Sequence, residues 1–105
     1  MIQVLYKKEN LGYSYLKVEG HAPSTFGKKG ENILCSAISA LTQTLVLALQ
    51  QDGNLQTKSL ENGILELAIP EPSEKTNIQF EIILNGILNL QKQYSDILKV
   101  QNLGV

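Results

Sequence analysis

Residues 32–51 read NILCSAISALTQTLVLALQQ. Apolar residues recur at Leu34, Ile38, Leu41, Leu45 and Leu49, at spacings of three or four, with Ala37, Ala40 and Ala48 between them. That is the 3.6-residue period of a helix burying one stripe. Asn32 ahead of the run fits an N-cap and Asp52-Gly53 behind it fits a stop, so one helix is predicted from the cap to about Gln51. Such a stripe needs a sheet or a second helix to cover it.

The flanking segments supply both. Upstream, Ile2, Val4 and Tyr6 alternate with Gln3, Leu5 and Lys7, and Leu16 and Val18 alternate with Lys17 and Glu19, the period of two half-buried strands turning at Asn10-Leu11-Gly12. Downstream, Leu55 to Leu60 and Ile64 to Ile69 read as a second hairpin turning at Glu61-Asn62-Gly63, where Asn-Gly is a strong turn signal. Pro70-Glu71-Pro72-Ser73 ends it. A second amphipathic helix then carries Phe80, Ile83, Leu84, Ile87, Leu88 and Tyr94, with Thr76 and Gln79 spaced as a capping box, and Ile97 to Val100 closes as a short strand. The predicted fold is α/β of the α+β kind: a two-layer sandwich in the order ββαββαβ, with two helices on one face of a mixed, largely antiparallel sheet.

Size and charge exclude several functions. The 105 residues are 43% hydrophobic and 18% charged, with nine Lys+Arg against ten Asp+Glu and a net charge of -1. One small soluble domain spanning 1–105 fits that balance, able to fold down to about 5,800 Å² from roughly 17,000 Å² of unfolded surface. The near-neutral charge lacks the cationic surface that nucleic acid requires, so no direct nucleic-acid partner is expected. The longest unbroken apolar run, Leu45 to Leu49, falls short of a membrane span, and Met1-Ile2-Gln3-Val4-Leu5 reads as a strand rather than a signal peptide. A cytoplasmic protein without membrane contact is the expectation. One cysteine allows no internal disulfide and no multi-cysteine metal site.

That cysteine, Cys35, falls by this reading about three positions inside the first helix. There, unsatisfied backbone N–H groups and the positive end of the helix dipole favour the thiolate, the form that attacks carbonyl carbon. The competing reading is a small buried hydrophobe beside Leu34. His21, the single histidine, stands where the second strand gives way to the segment Ala22-Pro23-Ser24-Thr25-Phe26-Gly27-Lys28-Lys29-Gly30, whose proline, glycines and lysines fit neither period and read as a loop. A loop folding back on the helix start brings imidazole and thiol together, the minimal set for covalent acyl transfer. As a metal site the pair is poor, because no carboxylate spacing completes a shell, and no metal or cofactor is expected.

Gly20-His21-Ala22, the glycine-bearing loop and Gly30-Glu31-Asn32-Ile33-Leu34-Cys35-Ser36-Ala37-Ile38-Ser39-Ala40-Leu41 together resemble the ribosomal-processing cysteine proteases of the Prp (YsxB) family. The likeness runs through both hairpins, the second helix and Tyr94-Ser95-Asp96-Ile97, nearly the whole chain. It implies a bacterial cytoplasmic protease that removes a short N-terminal extension from large-subunit ribosomal protein twenty-seven, and a homodimer. By the match Cys35 is the nucleophile and His21 the general base. Two departures stand out: Asn32 replaces the family's usual aspartate three residues before the cysteine, leaving Glu31 as the adjacent acid, and the loop is slightly longer than usual.

The expected mechanism is attack by Cys35 thiolate on a peptide carbonyl, protonation of the leaving amine by His21, and thioester hydrolysis with His21 as base. First-turn N–H groups, including that of Cys35, are expected to hold the oxyanion. Ser39, four residues on, shares the cysteine's side of the helix and is a supporting residue, as is Asn32. Phe26, Gly27 and Gly30 belong to a substrate loop that closes over the peptide. The rival reading is a non-catalytic ribosome-assembly factor that holds the ribosomal protein's tail without cutting it, for which Asn32 is the supporting feature. A purely structural dimer subunit is the third.

Overall fold

The computed structural model describes residues 1–20, 29–59 and 63–104. Strands β1 (Ile2–Glu9) and β2 (Gly12–Glu19) form an antiparallel hairpin. Helix α1 (Lys29–Gln51) leads to strands β3 (Gln56–Ser59) and β4 (Ile64–Ala68), and helix α2 (Glu74–Gln93) to strand β5 (Leu98–Asn102). The sheet order is β3-β4-β2-β1-β5, antiparallel except for β5, which runs parallel to β1 from Ile2 opposite Leu98 to Tyr6 opposite Asn102. The expected order ββαββαβ and the two helices over a mixed five-stranded sheet are therefore what the chain adopts. The closing strand is longer than its apolar pattern indicated and ends at Asn102, because pairing with β1 carries it past Val100.

Alternation works as expected in the hairpin's first half: Ile2, Val4 and Leu16 are buried, as are Leu67 of β4 and Leu98 of β5. Over them lie Leu34, Ile38, Leu45 and Leu49 of α1 and Phe80, Ile83, Leu84 and Ile87 of α2. A bulge breaks the period. Lys7 pairs with Tyr15 but Lys8 pairs with Tyr13, which leaves Ser14 without an opposite residue and sends the two tyrosines to different faces. Tyr13 is buried and stacks on Phe80 with ring centroids 4.4 Å apart, whereas the Tyr15 hydroxyl donates to Glu66 on the helix-free face.

Two helix starts differ from expectation. The capping box of α2 is Ser73 with Thr76, not Thr76 with Gln79: the Ser73 hydroxyl oxygen accepts from the Thr76 amide at 3.2 Å, and the Ser73 amide donates to the Thr76 hydroxyl at 2.8 Å. Pro72 sets the chain up for that cap one turn earlier than the acid-or-amide rule suggests. Helix α1 begins at Lys29, so Asn32 lies inside it and is not its N-cap, and Gly30 belongs to the helix rather than to the preceding loop. The apolar stripe marks where a helix needs burial, and nothing in it registers helical residues ahead of its first apolar position. The predicted turn at Glu61-Asn62-Gly63 falls largely outside the described residues; Gly63 itself has φ +78.

The two helices pack antiparallel. Leu41 of α1 abuts Gly86 of α2, where a Cβ would stand 3.2 Å from the leucine's Cδ1, and Lys75 pairs with Asp52 at 2.9 Å. The expectation that no segment is long and apolar enough for a membrane span needs correction. Ile33–Gln51 is such a helix by length and composition, with a mean hydropathy of 1.7 over its most apolar 18-residue window. Counting unbroken apolar runs missed it, because uncharged Ser, Thr and Gln interrupt the run without making it polar. Only 28% of that stretch is buried within the protein.

Candidate active site

Strand β2 finishes at Glu19, and Gly20 turns the chain out of the sheet with φ +85, its amide donating to the Gly63 carbonyl at 3.0 Å. Glycine is required there twice over. L-residues rarely adopt that φ, and a Cβ would sit 2.2 Å from the Met1 carbonyl oxygen. The chain then enters His21. His21, Phe26 and Gly27 lie outside the described residues, so their placement rests on the sequence alone.

Helix α1 runs away from this end to Gln51, beyond which Asn54, ahead of β3, is tied to the segment between β4 and α2: its side chain accepts from the Glu71 amide at 2.9 Å and donates to the Glu71 carbonyl at 2.7 Å. Cys35 is half-buried and packs against the core. It lies six residues before Leu41, roughly 120° around the helix from the stripe that touches α2. Cys35 therefore lies on the flank of α1 away from α2. Ser39 is a further ~40° round and exposed, on the same side as the cysteine as expected. Asn32 is in the first turn of α1.

The helix start changes the predicted electrostatics. With α1 beginning at Lys29, Cys35 is about 9 Å along its axis, in the second turn. The dipole acts within the first turn, whereas Cys35 lies in the second. An amide that deep bonds four residues back, so the Cys35 N–H is not a spare donor for an oxyanion either. Both expectations rested on taking Asn32 as the cap.

Elsewhere, the described residues offer little that competes. A shallow groove lined by Glu9, Leu11, Ile69, Pro70 and Pro72 lies at the other end of the sheet, beside the β1–β2 turn. Among the described residues no three His, Cys, Asp or Glu side chains converge to hold a metal. Tyr15 is the one described group with a clearly shifted pKa, pushed up to about 12 by burial, by its hydrogen bond to Glu66 and by the nearby negative charges of Glu66 and Glu19. It sits on the helix-free face, away from the thiol.

With this geometry in hand, comparison with known proteins is informative. The family model described as "Cysteine protease Prp" matches residues 1–99. Among curated protein sequences none matches. Among solved structures, SMU.848 from Streptococcus mutans is 27% identical with a TM-score of 0.80, over 100% of this chain and 99% of that one. The S. aureus ribosomal processing protease Prp in complex with a substrate peptide is 15% identical with a TM-score of 0.81, over 97% and 99%. The same protease with a covalently linked product peptide is 18% identical with a TM-score of 0.80, over 97% and 99%. The last two likenesses speak for the fold, and the family match carries the chemistry. A match that runs from residue 1 through the first six elements into the start of β5, and contains both the lone cysteine on α1 and the histidine after β2, leads to one conclusion: this chain belongs to the Prp family of cysteine proteases.

Proposed function

We propose that the protein is a ribosomal-processing endopeptidase that removes the N-terminal extension of large-subunit ribosomal protein twenty-seven, with Cys35 as nucleophile and His21 as general base. The observation that supports this most is that the family match contains both Cys35, half-buried on α1, and the single histidine, His21, directly after Gly20. His21 takes the thiol proton, and the thiolate sulfur bonds to the scissile carbonyl carbon. The protonated imidazole gives its proton to the leaving amine as the C–N bond breaks. Water, deprotonated by His21, then displaces the sulfur and restores the thiol.

Supporting roles fall to Ser39, on the cysteine's side of α1, and to Asn32, which replaces the family's usual acid with an uncharged hydrogen-bonding group. Phe26, Gly27 and Gly30 contact the peptide. No cofactor enters the scheme. The protein works in the cytoplasm as a homodimer, without direct contact to nucleic acid or membrane. Incubation with a synthetic peptide of the extension tests the proposal. Cleavage that disappears in Cys35→Ala and falls steeply in His21→Ala is the expected result. Retained cleavage by Cys35→Ala overturns the nucleophile assignment, and full activity in His21→Ala overturns the base.

A further inference from the structure

The helix layer covers the sheet unevenly. Toward β5 it reaches the edge: the Leu98 amide donates to the Tyr94 carbonyl at 3.0 Å and the Val100 amide to the Gln91 side chain at 2.7 Å, so α2 and its C-cap occupy donors that face away from β1. Toward β3 it stops short. Thr57 pairs with Leu67 and shares its face of the sheet, yet Leu67 is buried and Thr57 is exposed. Helix α2 packs on β2 and β5, which places α1, beside it, over β4 and leaves β3 projecting beyond as a ledge. The wall of this ledge is the flank of α1 away from α2, the flank that carries Cys35. Thr42 and Val46, seven and eleven residues on, lie within about 20° of the cysteine around the helix, so the three form one row about 16 Å long. Val46 is half-buried against the core, as is Leu55 just ahead of β3 on the ledge floor. From Ile33 to Gln51 the helix carries no charged side chain.

We propose that the substrate peptide lies extended on this ledge, with an apolar side chain about five residues from the scissile bond set against Val46 and Leu55. This placement rests on the protease reading above and adds to it the residues that select the substrate. The row begins at the nucleophile, and an extended chain advances about 3.3 Å per residue, so about five residues reach from Cys35 to Val46. Half-buried aliphatic groups there gain from covering an apolar side chain, whereas a charged one would lose its water and meet no opposite charge on the α1 wall. The groove beside the β1–β2 turn lies at the other end of the sheet and does not continue from Cys35. At the opposite edge, α2 already closes over β5.

Steady-state cleavage of the extension peptide tests the placement. Thr57→Glu, at an exposed position, is expected to raise KM about tenfold while kcat changes by less than about twofold. Gln101→Glu, the same change of charge on the opposite edge strand, leaves both constants as they are. A peptide cut back to about two residues on each side of the bond is too short to reach Val46, so it should be cleaved alike by Thr57→Glu and the unmodified protein. An unchanged KM in folded Thr57→Glu, or an equal loss with long and short peptides, overturns the placement and leaves the protease reading standing. Crosslinking needs no cleavage: p-benzoylphenylalanine in place of Thr57, in Cys35→Ala protein, should attach to the peptide on illumination. Attachment to a second copy of the chain instead, or no attachment, overturns the placement. A protein that neither cleaves nor captures the peptide overturns the protease reading with it.

Discussion

Replacing Gly20 with alanine is expected to destabilise the fold and to cripple the site together, and the size of the effect follows from two terms. The first is the backbone: an L-residue held at φ +85 costs about 1–2 kcal/mol. The second is a collision, because the new Cβ would lie 2.2 Å from the Met1 carbonyl oxygen. That oxygen has little freedom to retreat, since the next amide, of Ile2, donates to the Ile97 carbonyl at 2.8 Å. Displacing it costs about 1–3 kcal/mol, as overpacked cores do. Gly53 provides the control. Its φ is +65, yet nothing lies within 4 Å of its added Cβ, so Gly53→Ala carries the backbone term alone, about 1 kcal/mol. Thermal denaturation should therefore show Gly53→Ala lower by roughly 4–8 °C and Gly20→Ala by roughly 10–25 °C. Because His21 follows Gly20 directly, peptide cleavage at a temperature where both variants are folded should fall in Gly20→Ala and hold in Gly53→Ala. Equal melting temperatures for the two variants would refute the reasoning.

Three further outcomes are open to measurement. Asn77→Ala removes an acceptor from the Tyr13 amide at 3.0 Å and a donor to the Leu11 carbonyl at 3.3 Å, so the β1–β2 turn loses its tie to α2 and chemical denaturation should show a loss of about 1–3 kcal/mol. Phe80→Ala deletes a fully buried ring stacked on Tyr13 and should cost about 3–5 kcal/mol in the same assay. Tyr15, whose pKa is pushed up from 10.0 to about 12, should contribute stability that is fully present below pH 10 and lost as pH rises toward 12; Tyr15→Phe should flatten that part of the melting-temperature profile. An identical slope in Tyr15→Phe would reject this role.

The legible parts of the fold were those fixed by local periodicity. Leu34, Ile38, Leu45 and Leu49 follow the helix period and are buried, and Ile2, Val4 and Leu16 follow the strand period and are buried. What escaped depends on partners distant in sequence or on departures from the period. The parallel pairing of β5 with β1 joins Leu98 to Ile2, which no local pattern records. The bulge at Ser14 separates Tyr13 from Tyr15, although strict alternation puts them on one face. At the site, Cys35 was identifiable by residue type and neighbourhood, but its depth in α1 was not. The helix begins upstream at Lys29, ahead of the apolar run, so Asn32 reads as a boundary in the sequence and is an interior residue of the helix.

The central claim is that one sulfur does the chemistry, and the direct measurement is single-turnover cleavage of the extension peptide by the unmodified protein and by Cys35→Ser, followed by mass spectrometry. The account predicts a protein–peptide adduct on the peptide containing Cys35 in the unmodified protein, and cleavage slower by more than about a thousand-fold in Cys35→Ser. Cleavage by Cys35→Ser at the unmodified rate, with no adduct on Cys35 in either protein, would contradict it.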